Sequence, residues 1–309
     1  MRDTPSFGPW VSDEAEARFA AFLTESTTPA ALAEARPFFA AYNQRLLDKA
    51  LAAYVVDIAE REMAGIKVYE VTPVGGTAHA PVLLCLHGGA FMWGEGPGAL
   101  IEAVPVAAVA GMRVIAVDYR LAPEHVYPAA VDDAVAVYRA LTETVDPAKI
   151  GIYGCSAGAV LTTQAVAHLL YAGQAGPGAI GLFHGAPLPF AGDAALAQPL
   201  FDPRVEAGAS PKVEELPYFA GADLADPLVL AAGHPEWLAQ FPPSLLVTAT
   251  RDFAASAVSV MHRRLLAAGV DARFVLFDGL WHAHHMDVGL PESVETYGLI
   301  ADFFRRTLG

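Results

Sequence analysis

The chain has 309 residues, 54% hydrophobic and 17% charged, which suits one large globular domain with a modest cap and excludes a disordered chain. A net charge of −15 argues against nucleic acid or an anionic membrane surface as partner. No run nears the roughly 18–20 continuous apolar residues of a membrane span, and Met1-Arg2-Asp3-Thr4-Pro5 lacks the basic and apolar regions of a signal peptide, so a cytoplasmic protein is expected.

The first fifty residues are alanine-rich and amphipathic. Ser12 suits the cap of a helix running to about Thr24, Pro29 suits the start of a second, and a third is expected from about Pro37 to Ala52. Ile66 to Val71 then alternates as a half-buried strand does. Short apolar runs follow at Val82–Leu86, Val114–Val117, Ile150–Tyr153, Ile180–Phe183, Leu245–Thr248 and Phe274–Phe277. Helical stretches near 98–110, 128–143, 157–172, 254–268 and 292–307 alternate with several of them. That alternation predicts an α/β fold with a mostly parallel sheet covered on both faces. Residues 185–240, rich in Pro, Gly, Phe and Asp, are too long for a plain loop. We read them as an insertion that, with residues 1–50, caps a catalytic domain spanning 51–309. Cys85 and Cys155 fall in adjacent expected core strands and match no zinc spacing, so two buried thiols in a reducing compartment are expected.

Gly154-Cys155-Ser156-Ala157-Gly158 joins the run at 150–153 to the helix from 157. Strand, tight turn and helix is the context in which a G-x-S-x-G segment becomes a nucleophile elbow, with the serine strained and exposed at the carboxyl edge of the sheet. The glycines suit a place where strand and helix approach closely. A serine hydroxyl needs a neutral imidazole to take its proton, and the imidazole needs an acid to fix its tautomer. Downstream, Asp252 follows the strand at 245–248, and His282 follows the strand at 274–277 by five residues, so both belong at the edge that carries Ser156. Acyl transfer also needs backbone N–H groups aimed at the developing oxyanion. Gly88 and Gly89, just past Val82–Leu86, and the N–H of Ala157 are the candidates.

Three segments resemble the hormone-sensitive-lipase-like (bacterial family IV) esterases of the α/β-hydrolase superfamily. His87-Gly88-Gly89-Ala90 is similar to the family's His-Gly-Gly-Gly. Asp118-Tyr119-Arg120-Leu121-Ala122-Pro123-Glu124-His125, continuing through Tyr127-Pro128-Ala129-Ala130 to Asp132-Asp133-Ala134, is similar to a long family signature, and 154–158 to the elbow. The resemblance runs from about Ile66 to Leu308. It implies the α/β-hydrolase fold with a helical cap and a serine carboxylesterase acting on short- to medium-chain acyl esters, with no cofactor and no metal. It also implies a small-molecule ester as partner and, as often in the family, pairing of two copies through a sheet edge. Around Trp281 to Pro291 the chain also resembles esterases that open cyclic terpene lactones, so a lactonase, or an amidase using the same triad, is an alternative. The chain departs from the family at Ala90, Cys155 and Ala159. It also departs after Asp252, where Phe253-Ala254-Ala255 replace a Pro-Leu and a second acid, and past His282, where Ala283-His284 stand.

Other assignments stay open at this stage. Asp226, Asp278 and Asp287 compete with Asp252, and His284 and His285 compete with His282. Those three histidines could instead hold a metal, although their spacing is not that of a metallohydrolase motif. His87 reads as an anchor of the glycine loop, and Asp118, Arg120 and Glu124 as a charge network behind the site. Phe91 and Trp93, just beyond the glycines, are the candidates for lining the substrate pocket.

Overall fold

Short apolar runs separated by helices have one economical solution, a sheet buried on both faces. A computed structural model of the chain describes residues 5–25, 29, 31–75, 81–206 and 212–309. In chain order the elements are α1 (Asp13–Thr24), α2 (Leu32–Ala53), β1 (Val56–Met63), β2 (Ile66–Pro73), β3 (Val82–Leu86), α3 (Pro97–Ala110), β4 (Arg113–Val117), α4 (Ala129–Thr142), β5 (Ile150–Cys155), α5 (Ala157–Tyr171) and β6 (Ala179–Phe183). The short helical turns α6 (Asp193–Leu196), α7 (Gln198–Phe201) and α8 (Pro235–Leu238) follow, then β7 (Ser244–Arg251), α9 (Ala255–Ala267), β8 (Ala272–Trp281) and α10 (Pro291–Leu308).

The strands form one eight-stranded sheet in the order β1-β2-β4-β3-β5-β6-β7-β8. β2 pairs antiparallel with β1 and β4, and every other neighbour is parallel. Alternation along β3 shows how both faces are used. Leu84 and Leu86 pack with α4, α5 and α9, whereas Leu83 and Cys85 pack with α2, α3 and α10. The parallel strands all point their carboxyl ends to one edge, and the loops leaving that edge carry the chemistry. No helix among the described residues is long and apolar enough to cross a membrane.

Three local expectations are corrected. The helices expected from Pro29 and Pro37 are one helix, α2, with Pro37 inside it. The ring removes one backbone donor, but α2 still buries Leu46, Leu47 and Ala50 against the body, which holds the helix together. β1 was not expected, because Val-Asp-Ile-Ala-Glu-Arg-Glu-Met is an edge strand open to solvent over most of its length. β8 runs on to Trp281 past a break in register opposite Ala249–Arg251, with Gly279 at φ 75°, so His282 follows its strand directly.

Segments 1–50 and 185–240 meet near the carboxyl edge. Arg204 donates to the carbonyls of Phe22 and Glu25, and its guanidinium lies 4.7 Å from the Phe22 ring. Arg251, at the end of β7, is buried against Phe7, Phe19 and Phe201 and donates to the carbonyls of Pro5 and Ser6.

Candidate active site

Ser156 stands between β5 and α5 with φ 56° and ψ −116°, a backbone state costly for any residue with a side chain. Its neighbours enforce it. The Ser156 N–H donates to Phe183 O at 2.8 Å, continuing the ladder to β6. A Cβ added to Gly154 or Gly158 would fall 2.2 or 1.8 Å from Leu86 O, and one on Gly185 2.5 Å from Ser156 O. The elbow glycines therefore answer to the carbonyl of the adjacent strand β3 as well as to the strand-helix turn itself. Cys155 points into the core, where burial first, then the nearby Glu102 and Asp252 charges, push its thiol well up, so it is poorly suited to act as nucleophile.

Gly88 lies against the elbow, since an added Cβ would be 3.0 Å from Cys155 O and 3.6 Å from Ser156 Cβ. Gly89, at φ 120°, turns the loop so that its carbonyl accepts from Met92 and Trp93 N–H. The N–H of Ala157 opens α5 and has no acceptor within its own helix. His87 is the expected anchor: Nδ1 meets Gly88 O at 2.7 Å, the ring stacks 4.0 Å from Tyr119, and Tyr119 Oη donates to His87 O. Burial pushes its pKa down, which keeps the ring neutral. Arg36 of α2 reaches across to Met92 O, Ala122 O and both carboxylate oxygens of Glu124. The expected single network of Asp118, Arg120 and Glu124 is thus three separate contacts. Asp118 accepts from Gly96 N–H, and Arg120 grips buried Asp133.

Asp252 follows β7 and is fully buried. Its Oδ1 accepts from His282 Nδ1 at 2.7 Å and from Ala254 N–H at 2.9 Å, so the local support missing from the sequence comes from the backbone. Its Oδ2 accepts from Thr248 Oγ1 and from His184 Nδ1, both at 2.7 Å. Burial alone pushes such a carboxyl up; the facing His282 and the bonds from His184 and His282 outweigh it and hold the group well below the carboxylate range. With Nδ1 spent on Asp252, His282 has Nε2 left to take a proton. Phe253 stacks on the His282 ring at 4.3 Å.

The rivals are engaged elsewhere. Asp226 caps Leu228 N–H, Asp278 takes Trp10 Nε1 and Thr250 Oγ1, and Asp287 takes Arg18 and Lys49. His284 turns to Thr296 and His285 to Glu102, so the three neighbouring histidines do not converge as a metal site would need. His184, Asp252 and His282 bring three donor atoms within 4.8 Å, as do Glu102, Cys155 and His285. In the first set both imidazoles already direct N–H at the carboxylate, which leaves a cation few lone pairs. Phe91 departs from expectation. It is 2% exposed and stacked 4.2 Å from Tyr218, a core residue where a pocket residue was expected. Trp93 stacks on Phe39 of α2 at 4.4 Å.

His184 and Phe253 were not foreseen. His184 stands one residue past an apolar strand, at the same edge as the others, and that position was the only signal it offered.

Comparison with known proteins agrees with this architecture. A family model described as alpha/beta hydrolase fold matches residues 83–286. The chain is 33% identical over 271 residues to a putative acetyl-hydrolase, LipR, of Mycobacterium tuberculosis, over 80% of this chain and 79% of that protein. It is 32% identical over 236 residues to the carboxylesterase NlhH of the same species, over 71% of each. A crystal structure of an esterase from the bacterial hormone-sensitive lipase family superposes with a TM-score of 0.84 at 26% identity, over 96% of this chain and 99% of that one.

Proposed function

This chain belongs to the α/β-hydrolase fold family, among its hormone-sensitive-lipase-like carboxylic ester hydrolases, and we propose that it cleaves short- to medium-chain acyl esters through an acyl-enzyme on Ser156. The observation that carries this reading is the short His282–Asp252 bond at the same sheet edge as a strained Ser156 with Gly88 packed against it. Ser156 Oγ attacks the acyl carbon while its proton passes to His282 Nε2, and Asp252 stabilises the imidazolium that results. The N–H groups of Gly88, Gly89 and Ala157 receive the charge that builds on the carbonyl oxygen. The C–O bond to the alcohol breaks as His282 returns the proton to it. Water, losing a proton to the same nitrogen, then releases the acid and restores Ser156.

Segments 1–50 and 185–240 form the cap in this reading, supported by their contacts through Arg204 and Arg251. Trp93 and Phe39 contribute to its inner wall. Ester, lactone and amide chemistry share the first step, so the test compares p-nitrophenyl butyrate, a terpene lactone and an aryl amide. The ester is expected to turn over fastest. Ser156→Ala should lower kcat by about 10⁴–10⁶ and abolish labelling by an organophosphonate probe. Near-normal turnover in that variant removes Ser156 from the mechanism.

A further inference from the structure

An acid that orients a catalytic imidazole ordinarily serves one histidine. Asp252 serves two. His184 Nδ1 and His282 Nδ1 approach opposite carboxylate oxygens at the same 2.7 Å. His184 is completely buried and holds φ 51°, a state uncommon outside glycine. Its N–H donates to Val247 O at 2.8 Å, which fixes the backbone between β6 and β7. Its ring lies parallel to His285, with centroids 5.2 Å apart and planes 6° off, and the rings of His282 and His284 stand edge-on to it with centroids 5.6 and 5.1 Å away. His285 is in turn tied to Glu102 of α3 at 2.9 Å. The titratable groups facing His184 are therefore Asp252 beyond β7 and His282, His284 and His285 beyond β8, with Glu102 behind His285. The backbone that carries the ring also adjoins the nucleophile turn. Gly185, the next residue, runs against Ser156 O.

Two features set this ring apart from an ordinary core histidine. Its Nδ1 faces a carboxylate that four donors keep ionised against the opposing effect of burial, so the proton sits on Nδ1 and the ring donates to Asp252. Its Nε2 is buried with no partner, so nothing stabilises the tautomer with the proton there. A neutral donor on one oxygen draws charge from the other. The imidazolium formed at residue 282 during turnover therefore meets a carboxylate that is held in place but weakened as a base.

Resting on the serine-esterase reading above, we propose that His184 is a positioning residue of the site: it fixes the Asp252 carboxylate from the side away from His282 and, by sharing its charge, sets how far into acid ester turnover extends. Burial, opposed by the bond to Asp252, pushes His184 down to about 4, in keeping with a ring that stays neutral while the enzyme works.

The test is the pH profile of kcat/KM on p-nitrophenyl butyrate for wild type, His184→Phe and His184→Asn, each checked for folding by circular dichroism. Phenylalanine keeps the ring volume without the donor, and asparagine keeps an N–H at about the reach of Nδ1. In His184→Phe the acid limb should move up by about one pH unit, and plateau kcat/KM should fall about tenfold as the carboxylate loosens. His184→Asn should keep its limb within about half a unit of wild type. A folded His184→Phe whose acid limb coincides with that of wild type overturns the proposal. ¹⁵N-imidazole NMR of the wild-type protein decides the matter should the variants not fold. One ring should remain a neutral Nδ1–H tautomer from about pH 5.5 to 8. A protonated Nε2 at residue 184, or titration of that ring within the range, overturns it too. Failure of the esterase reading is distinct, because it appears as unlabelled Ser156 in the wild-type protein whatever residue 184 does.

Discussion

Gly158 and Gly298 both sit inside helices, and one substitution should affect them in opposite senses. Gly298 lies in α10 with nothing within 4 Å of where a Cβ would stand. Gly298→Ala should stabilise the fold by about 0.5–1 kcal/mol, the ordinary helix preference of alanine over glycine. Gly158 lies in the first turn of α5, where the added carbon would be 1.8 Å from Leu86 O and 2.9 Å from His87 O. Both obstacles are backbone of β3 and the loop that leaves it, so no side-chain rotation relieves them. α5 or β3 must retreat by over about 1 Å, a strain of about 3–4 kcal/mol against which helix preference returns about 1. Gly158→Ala should therefore lose about 2–3 kcal/mol. Its kcat/KM should fall further than the folded fraction accounts for, because the same displacement carries Gly88 away from Ser156. Urea denaturation and steady-state kinetics on the two variants check both signs. A Gly158→Ala protein as stable as wild type would refute the claim that this contact dictates the residue.

Stability should also fall in acid through His184. Its folded value, about 4, lies below the ordinary 6.5, so between those limits the unfolded chain takes up a proton that the folded one refuses. The effect is absent above about pH 7, grows as pH falls and is complete near pH 4, where it reaches about 3 kcal/mol. Urea midpoints measured from about pH 7.5 to 4.5 should show the wild-type margin over His184→Asn shrinking, and a constant margin would contradict it. Phe253→Ala removes the ring stacked on His282 and should lower kcat/KM about tenfold with a small change in unfolding midpoint, since it loosens an imidazole that must be held for proton transfer. Unchanged kinetics would show that the Asp252 bond alone sets the ring.

The sheet was legible because its inner strands are short apolar runs, and such runs have few ways to be buried. Ser156, Asp252 and His282 were legible because each is a reactive residue just past a strand, in the chain order this architecture uses. Elsewhere the local pattern misled. β1 carries charges along a solvent-facing edge and has no apolar rhythm. Pro37 reads as a helix start, and only the packing of α2 lets the helix continue through it. Asp278 and Gly279 interrupt the apolar run of β8, which hid its last residues and made His282 look more distant than it is. Phe91 looked like a pocket residue by its closeness to Gly88, but its backbone turns at φ 64° and the ring enters the core. His184 offered only its place just past β6. Its meaning depends on a carboxylate 68 positions away, and no motif joins the two.

The reach of Arg36 has a bearing on redesign of the enzyme. One guanidinium on α2 holds the carbonyls of Met92 and Ala122, the first in the loop that presents Gly88 and Gly89 and the second in the turn after β4. Trimming or loosening the N-terminal helices to admit bulkier esters would therefore also slacken the cradle for the reacting carbonyl. Wider scope and slower chemistry should arrive together, unless the arginine's grip on that loop is rebuilt from another side.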